Sequence, residues 1–260
     1  MPVVDRNTNI TFTISTDQLS NLLKKIKDLT SIDQRIVMKI DANNVLLFSF
    51  VGETFKNIHA FKSYIFSLEE VFTIKKGELE EPLFFIARDG KKLYRILENF
   101  LIYKEEINCK ISANDENYVN YIAFDTKKMS EKVIGSDPIA IGSQISIDDI
   151  NFLMNIDNSK FNFRLDRADF LQIKKRGVIE NEPKSVLYIN VVNKALTIGE
   201  TKWHLNILDE VESEDIMLSF PKAYFNTINP TEYIQIYVFE DFILAKYDDY
   251  NLMIILETTI

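Results

Sequence analysis

Short runs of alternating apolar and polar residues, rich in β-branched and aromatic side chains, dominate the chain and predict strands. In the first half they fall at residues 11–15, 35–40, 45–51, 55–61, 63–67, 82–87, 106–112, 118–125 and 127–135. The second half continues with 144–147, 161–165, 169–175, 185–192, 202–208, 216–220, 232–239, 242–247 and 252–258. Helical spacing is rarer. Leu19, Leu22, Leu23, Ile26 and Leu29 share one face of a helix over 17–29, with Thr16 or Asp17 as its N-cap. Leu93, Ile96, Leu97, Phe100 and Leu101 do the same over 89–101, and Ile150, Leu153 and Met154 over 148–156. A last short helix is expected over 221–228, opened by Pro221, whose missing N–H costs nothing there.

The order of these elements repeats. Each half reads strand, helix, about five strands, helix, three strands, which predicts an internal duplication with little sequence identity. Two unrelated β-rich domains, or one large sandwich, are the alternatives this pattern leaves. Gly135, Ser136, Asp137, Pro138 and Gly142 mark an exposed connector. The expected organisation is a first domain over 1–135, a connector over 136–144 and a second domain over 145–260, an α+β fold of antiparallel sheets with two helices per domain.

Composition narrows the function. The chain has 260 residues, 46% of them hydrophobic, with 30 Lys plus Arg against 39 Asp plus Glu and a net charge of −9. This is a soluble, globular composition, and no apolar run is long enough to span a bilayer. One Cys and two His exclude a disulfide scaffold and leave little for zinc or imidazole chemistry. Cys109 alternates with Ile107 and Ile111 and reads as a core thiol, while His59 and His204 sit in strand patterns. The chain holds no phosphate loop, dinucleotide fingerprint or hydrolase elbow. Adjacent acid pairs such as Glu69-Glu70 and Asp248-Asp249 read as solvated surface, because neighbours in a strand point to opposite faces. No enzyme activity, metal site or cofactor is expected.

The charge is partitioned. Lys24, Lys25 and Lys27 lie off the apolar face of the first helix, and Lys91, Lys92 and Arg95 off that of the second. Most of the acid sits in strands and loops. A basic helix face is commonly just solvated. Basic helices on an acidic body also suit a protein that touches DNA phosphates on one side and avoids them elsewhere.

With that order and that charge pattern, the chain resembles the DNA polymerase sliding clamps, most closely the tailed-phage type, related in fold to proliferating cell nuclear antigen. The resemblance covers residues 11–258, including a closing hairpin from Phe242-Ile243-Leu244-Ala245-Lys246-Tyr247 to Tyr250-Asn251-Leu252-Met253-Ile254-Ile255-Leu256-Glu257. It implies a head-to-tail homotrimeric ring around double-stranded DNA that tethers the replicative DNA polymerase. A separate clamp-loader ATPase would open it, in the host cytoplasm if the chain is phage-encoded. Lys24, Lys25, Lys27, Lys91, Lys92, Arg95 and Lys222 would face the hole. The helices expected in the second half carry Asn151, Asn155 and Asn158 and only Lys222 as a base, so its DNA contact would be weaker. A partner peptide would seat against Phe50, Val51, Ile134, Ile139, Ile255, Leu256 and Ile260. The subunit joint would pair residues 127–135, with Lys132 and Val133, against 185–192 of the next chain, with Val186, Leu187, Tyr188 and Ile189. A structural β-sandwich of the virion kind, without DNA function, is the alternative reading.

Overall fold

A computed structural model describes residues 10–52, 58–77, 79–136, 148, 151, 155–179, 184–190, 195–198, 201–204, 206–207, 215–221, 227–240, 242–248 and 250–255. The fold is α+β with antiparallel sheets. It divides into two compact units, residues 1–57 with 63–145 and residues 58–62 with 146–260.

The first unit runs β1 (Thr11–Ile14), α1 (Thr16–Leu29), β2 (Ile36–Ile40), β3 (Asn44–Val51), β4 (Ala60–Ser67, of which residues 63–67 belong to this unit), β5 (Thr73–Lys76), β6 (Leu83–Ala87), α2 (Gly90–Leu101), β7 (Ile107–Ala113), β8 (Val119–Asp125) and β9 (Ser130–Ile134). Its strands form two sheets, β5-β1-β7-β8-β9 and β4-β3-β2-β6. Ser15, rather than Thr16 or Asp17, caps α1. Its hydroxyl accepts from the Gln18 N–H at 3.2 Å, and its own N–H donates to Gln18 Oε1 at 2.8 Å. Asp89 caps α2 by accepting from the Lys92 N–H at 2.8 Å. Leu19, Leu22, Leu23, Ile26 and Leu29 are all buried, as are Leu93, Leu97 and Phe100 of α2. Each such side chain contributes about 1.5–3 kcal/mol of apolar transfer. Phe100 meets Phe124 of β8 at 6.1 Å between centroids, and Phe12 of β1 meets Phe72 at 5.4 Å.

Two glycines hold close approaches. A Cβ on Gly90 would lie 2.6 Å from Ile36 Cγ1, and the Gly90 N–H donates to Gln34 O at 2.7 Å, so α2 starts tight against the α1–β2 connection. A Cβ on Gly135 would lie 1.9 Å from the Val119 carbonyl oxygen. The chain leaves β9 there and runs back to β6, where the Ser136 N–H donates to Ile86 O at 2.8 Å.

The second unit runs β10 (Phe161–Asp166), α3 (Arg167–Ile179), β11 (Lys184–Asn190), β12 (Ala195–Ile198), β13 (Thr201–His204), β14 (Asn206–Ile207), β15 (Asp215–Pro221), β16 (Tyr233–Val238), β17 (Phe242–Tyr247) and β18 (Tyr250–Ile255). Its sheets are β14-β10-β16-β17-β18 and β13-β12-β11-β15. Strand for strand, these are the two sheets of the first unit. β10 stands for β1, β14 for β5 and β16-β17-β18 for β7-β8-β9, while β13-β12-β11-β15 repeats β4-β3-β2-β6. The fourth and seventh residues of the first helix are buried in both units, Leu19 and Leu22 in α1, Phe170 and Ile173 in α3.

The duplication is real, but its second copy starts later than the apolar pattern predicts. The counterparts of β1 and α1 are β10 and α3, not residues 144–156. Asp148 and Asn151 are helical, and residues 144–147 lie outside the described residues. Residues 169–175 are helix, not strand: Phe170 and Ile173, three apart, face the core, and exposed Asp169, Gln172 and Lys175 cover the other side. The sequence also misses β5, an edge strand exposed at all four positions, and runs β13 and β14 together where the chain changes sheets. The helix expected over 221–228 falls mostly outside the described residues.

Candidate nucleic-acid interface

α1 and α2 pack against each other in the first unit. Lys24 and Lys27 of α1 are exposed, as are Lys91, Lys92 and Arg95 of α2. Lys25 is not. It is 7% exposed, its Nζ 4.5 Å from the Tyr64 ring centroid and 4.6 Å from that of Phe66. Its charge is held on aromatic faces of β4 and is not offered to a phosphate. Lys222 lies outside the described residues.

The start of α2 adds a residue the sequence reading lacked. Arg88, Lys91, Lys92 and Arg95 line an open concavity of about 580 Å³ with Gln34 and Asp89. Their spacing is i, i+3, i+4, i+7, which would have revealed Arg88 had the stripe been followed past the helix start. Among the described residues none of the four makes an ion pair.

The second unit is also more basic on its first helix than expected, because that helix is α3. Arg167 and Lys175 are exposed, and Lys175 is the ninth residue of α3 as Lys24 is of α1. Lys174 is half-buried, donates to Ile228 O at 2.9 Å, and burial lowers its pKa. It ties α3 to the chain entering β16.

The strand edges differ from the expected joint. β11 is flanked by β12 on one side and by β15 on the other, over seven residue pairs with β15. β15 pairs along its whole length and β12 along residues 188–190, so β11 is an inner strand of its sheet: Tyr188 and Ile189 are flanked on both sides, and Val186 and Leu187 on the β15 side. β9 pairs with β8 alone. Gly135 N–H donates to Asn120 O and Thr126 N–H to Met129 O, so the β9 bonds to β8 fall at 131, 133 and 135. Ser130, Lys132 and Ile134 therefore turn their N–H and C=O groups to the open edge. Val133 is buried in its own unit. Lys132 lies exposed with its Nζ 3.4 Å from the Tyr121 ring, and Ile134 is 62% exposed. A cleft of about 230 Å³ under β9 is lined by Leu93, Ile96, Val133, Ile134, Arg88 and Lys92, among others.

The expected peptide pocket is not assembled by what can be seen. Phe50 is fully buried, with the Arg35 guanidinium 4.8 Å from its ring, so it is core. Val51 is half-buried. Ile134 belongs to the β9 cleft. Ile255 ends β18 opposite Phe242, and Ile139, Leu256 and Ile260 lie outside the described residues. Cys109 is buried, and desolvation, with the Asp125 charge adding, pushes its thiol pKa far up. Among the described residues no His, Cys, Asp and Glu side chains cluster to hold a metal, and no helix is long and apolar enough to cross a membrane.

No protein-family model and no curated protein matches the chain. Solved structures do. The Helicobacter pylori beta clamp bound to a DNA ligase peptide superposes with a TM-score of 0.65 at 12% identity, over 96% of this chain and 67% of that one. The DNA polymerase III subunit beta of Borrelia burgdorferi gives 0.63 at 14%, over 96% and 65%. The beta subunit of the Streptococcus pyogenes DNA polymerase gives 0.64 at 12%, over 96% and 66%. The fold is thus that of the bacterial beta sliding clamps, and the chain spans about two thirds of their length.

Proposed function

We propose that this protein is a sliding clamp: a ring that encircles duplex DNA and tethers a DNA polymerase, with no catalysis of its own. The observation that carries the reading is the duplicated unit with basic first helices, together with an end strand, β9, whose outer backbone groups are unpaired within the described residues. Exposed Lys24 and Lys27 in one unit and Lys175 in the other give each unit a cationic helix face on a chain of net charge −9. Encirclement makes strong phosphate contacts unnecessary, so weak, screened cations suffice.

The ring closes head to tail, three chains giving six similar units. β9 of one chain adds to an edge of the four-stranded sheet in the next chain's second unit. The joint takes the β13 end of that sheet rather than the β15 end, by analogy with the first unit. β15 corresponds to β6, whose outer edge is already covered by the Phe84 bridge to Tyr118 and by the Ser136 N–H on Ile86 O. Lys132 remains at the joint, through its outward backbone groups. Such pairing also removes the hazard of an exposed strand edge. The two-unit chain fits the phage type, working in a host cytoplasm with a separate loader ATPase. A DNA ligase peptide is bound by the Helicobacter pylori clamp, and here a polymerase peptide takes the corresponding role. The plain virion sandwich has nothing comparable in its favour, since it gives no reason for cationic helices to recur in both units.

The test is the state of assembly. Sedimentation should show a species of three chains, and negative-stain images a particle with a central hole. Lys132→Pro, which removes an outward N–H without costing a bond to β8, should give folded monomers. A wild-type chain that is monomeric at high concentration overturns the ring.

A further inference from the structure

We infer that the outer face of the sheet β5-β1-β7-β8-β9 is a docking surface for an extended acidic segment of a partner protein, one with a carboxylate at every third residue. This face is separate from the basic helices, and the inference goes beyond the clamp reading without resting on it.

The strand register builds the surface. Thr11 of β1 is paired with Lys76 of β5 and with Lys110 of β7. Lys110 is paired with Ala123 of β8, and Ala123 with Lys132 of β9. Residues paired across an antiparallel ladder stand on one face, so Lys76, Lys110 and Lys132 form a single row across all five strands. Their neighbours along the strands, Phe12, Cys109, Phe124 and Val133, are buried on the opposite face, where Phe124 meets Phe100 of α2. All three lysines are exposed, and the residues between them, Thr11 and Ala123, are small and half-buried.

Among the described residues none of the three lysines makes an ion pair. The acids in phase with the row are engaged: Glu106, just before β7, lies 3.5 Å from Lys75, and Asp125 accepts from the Ser130 hydroxyl. Lysines on end strands guard against stray pairing, which accounts for Lys76 and Lys132. Lys110 stands on the middle strand and has no such duty.

The spacing selects the occupant. Strands lie about 4.8 Å apart, so successive lysines of the row, two strands from each other, are rooted about 10 Å apart. A polyproline II segment repeats its side-chain direction every three residues, or about 9.3 Å. Carboxylates at i, i+3 and i+6 therefore match all three lysines, and the small Thr11 and Ala123 let the main chain lie close. A nucleic-acid strand is the competing polyanion. Its phosphates come about every 3.4 Å of rise, so most would meet no lysine here.

The experiment measures the fluorescence anisotropy of a labelled peptide of four Glu-Pro-Pro repeats with the full-length chain, in about 50 mM salt, where exposed pairs are lightly screened. Lys76→Ala with Lys110→Ala removes two exposed pairs, each worth up to about 5-fold, and should weaken binding about 10-fold. Lys76→Arg with Lys110→Arg should retain it. Lys127→Ala with Lys160→Ala, an equal charge change at exposed positions off the row, should leave it unchanged. A peptide with the same glutamates side by side should bind more weakly. No binding of the repeat peptide, wild-type affinity in the Lys76/Lys110 Ala variant, or an equal loss in the Lys127/Lys160 variant overturns the surface. Equal affinity for the side-by-side peptide overturns the spacing. Oligo-dT that binds more tightly than the peptide, with the same dependence on Lys76 and Lys110, overturns the peptide as occupant. A monomer would bind the peptide as a ring would, so this surface and the clamp reading fail separately.

Discussion

Lys24 and Lys25 are sequence neighbours on one helix, yet the structure gives them opposite work, and replacing each with Ala separates them. Lys25 is 7% exposed and sits over two rings, Tyr64 and Phe66, at 4.5 and 4.6 Å. Lys25→Ala removes three buried methylenes at about 0.8 kcal/mol each. It also removes cation–π attraction of about 0.5–1 kcal/mol per ring, partly offset because the ammonium no longer loses water. The net expected cost is about 2–3 kcal/mol. Lys25→Met keeps most of the stem and should cost only about 1 kcal/mol. Lys24 is exposed, and its removal should stay within about 0.5 kcal/mol. The only Trp, Trp203, lies in β13 of the second unit, so its fluorescence reports on the wrong half. Hydrogen exchange of the α1 and β4 amides in urea reads the right one. Salt-dependent DNA binding should move the other way, weakened by Lys24→Ala and unchanged by Lys25→Ala. Equal stabilities for the two Ala variants would refute the buried, ring-held placement of Lys25.

Arg167→Ala with Lys175→Ala should weaken DNA retention about as much as Lys24→Ala with Lys27→Ala; no effect would remove the second unit from the DNA contact. Gly135→Ala drives a Cβ to 1.9 Å from the Val119 carbonyl and should cost more than about 3 kcal/mol, read by thermal unfolding of the first unit. Burial raises the pKa of Asp41, so its folded pKa lies above the ordinary 3.8. Its contribution to stability is present below that value and fades as pH rises through the folded pKa, and Asp41→Asn should flatten the stability profile across that window. Cys109, buried and with its pKa pushed up, should resist a thiol reagent at pH 8 in the folded chain and react on unfolding.

The first unit was largely legible because its elements carry long signals. Five apolar residues mark α1, and β2, β3, β7 and β8 each lie within a residue or so of the alternation that predicts them. The second was misread where the signal is short. α3 buries only Phe170 and Ile173 among the side chains that can be described, and two residues three apart, with Leu171 between them, pass for strand alternation. That one misreading also hid Arg167 and Lys175. Edges are a different matter. Alternation tells which faces a strand presents, not what lies beside it, so β9 and β11 looked equally available. Only topology shows that β11 is flanked twice and β9 once. Lys25 was lost for a related reason: helical spacing places it beside the apolar stripe, and the rings that cover it come from β4, far along the chain.

The central claim is topological and can be measured without a polymerase or a loader. Cysteines at Lys132 in β9 and at Lys202 in β13 allow chains mixed with circular plasmid to be cross-linked into closed rings. The complex is then washed in about 1 M salt, where charge screening falls to about 3 Å and ordinary phosphate contacts are lost. The account predicts that the protein stays with the circle and is released when one restriction cut linearises it. Loss of the protein in the wash, or retention on cut DNA, would contradict encirclement.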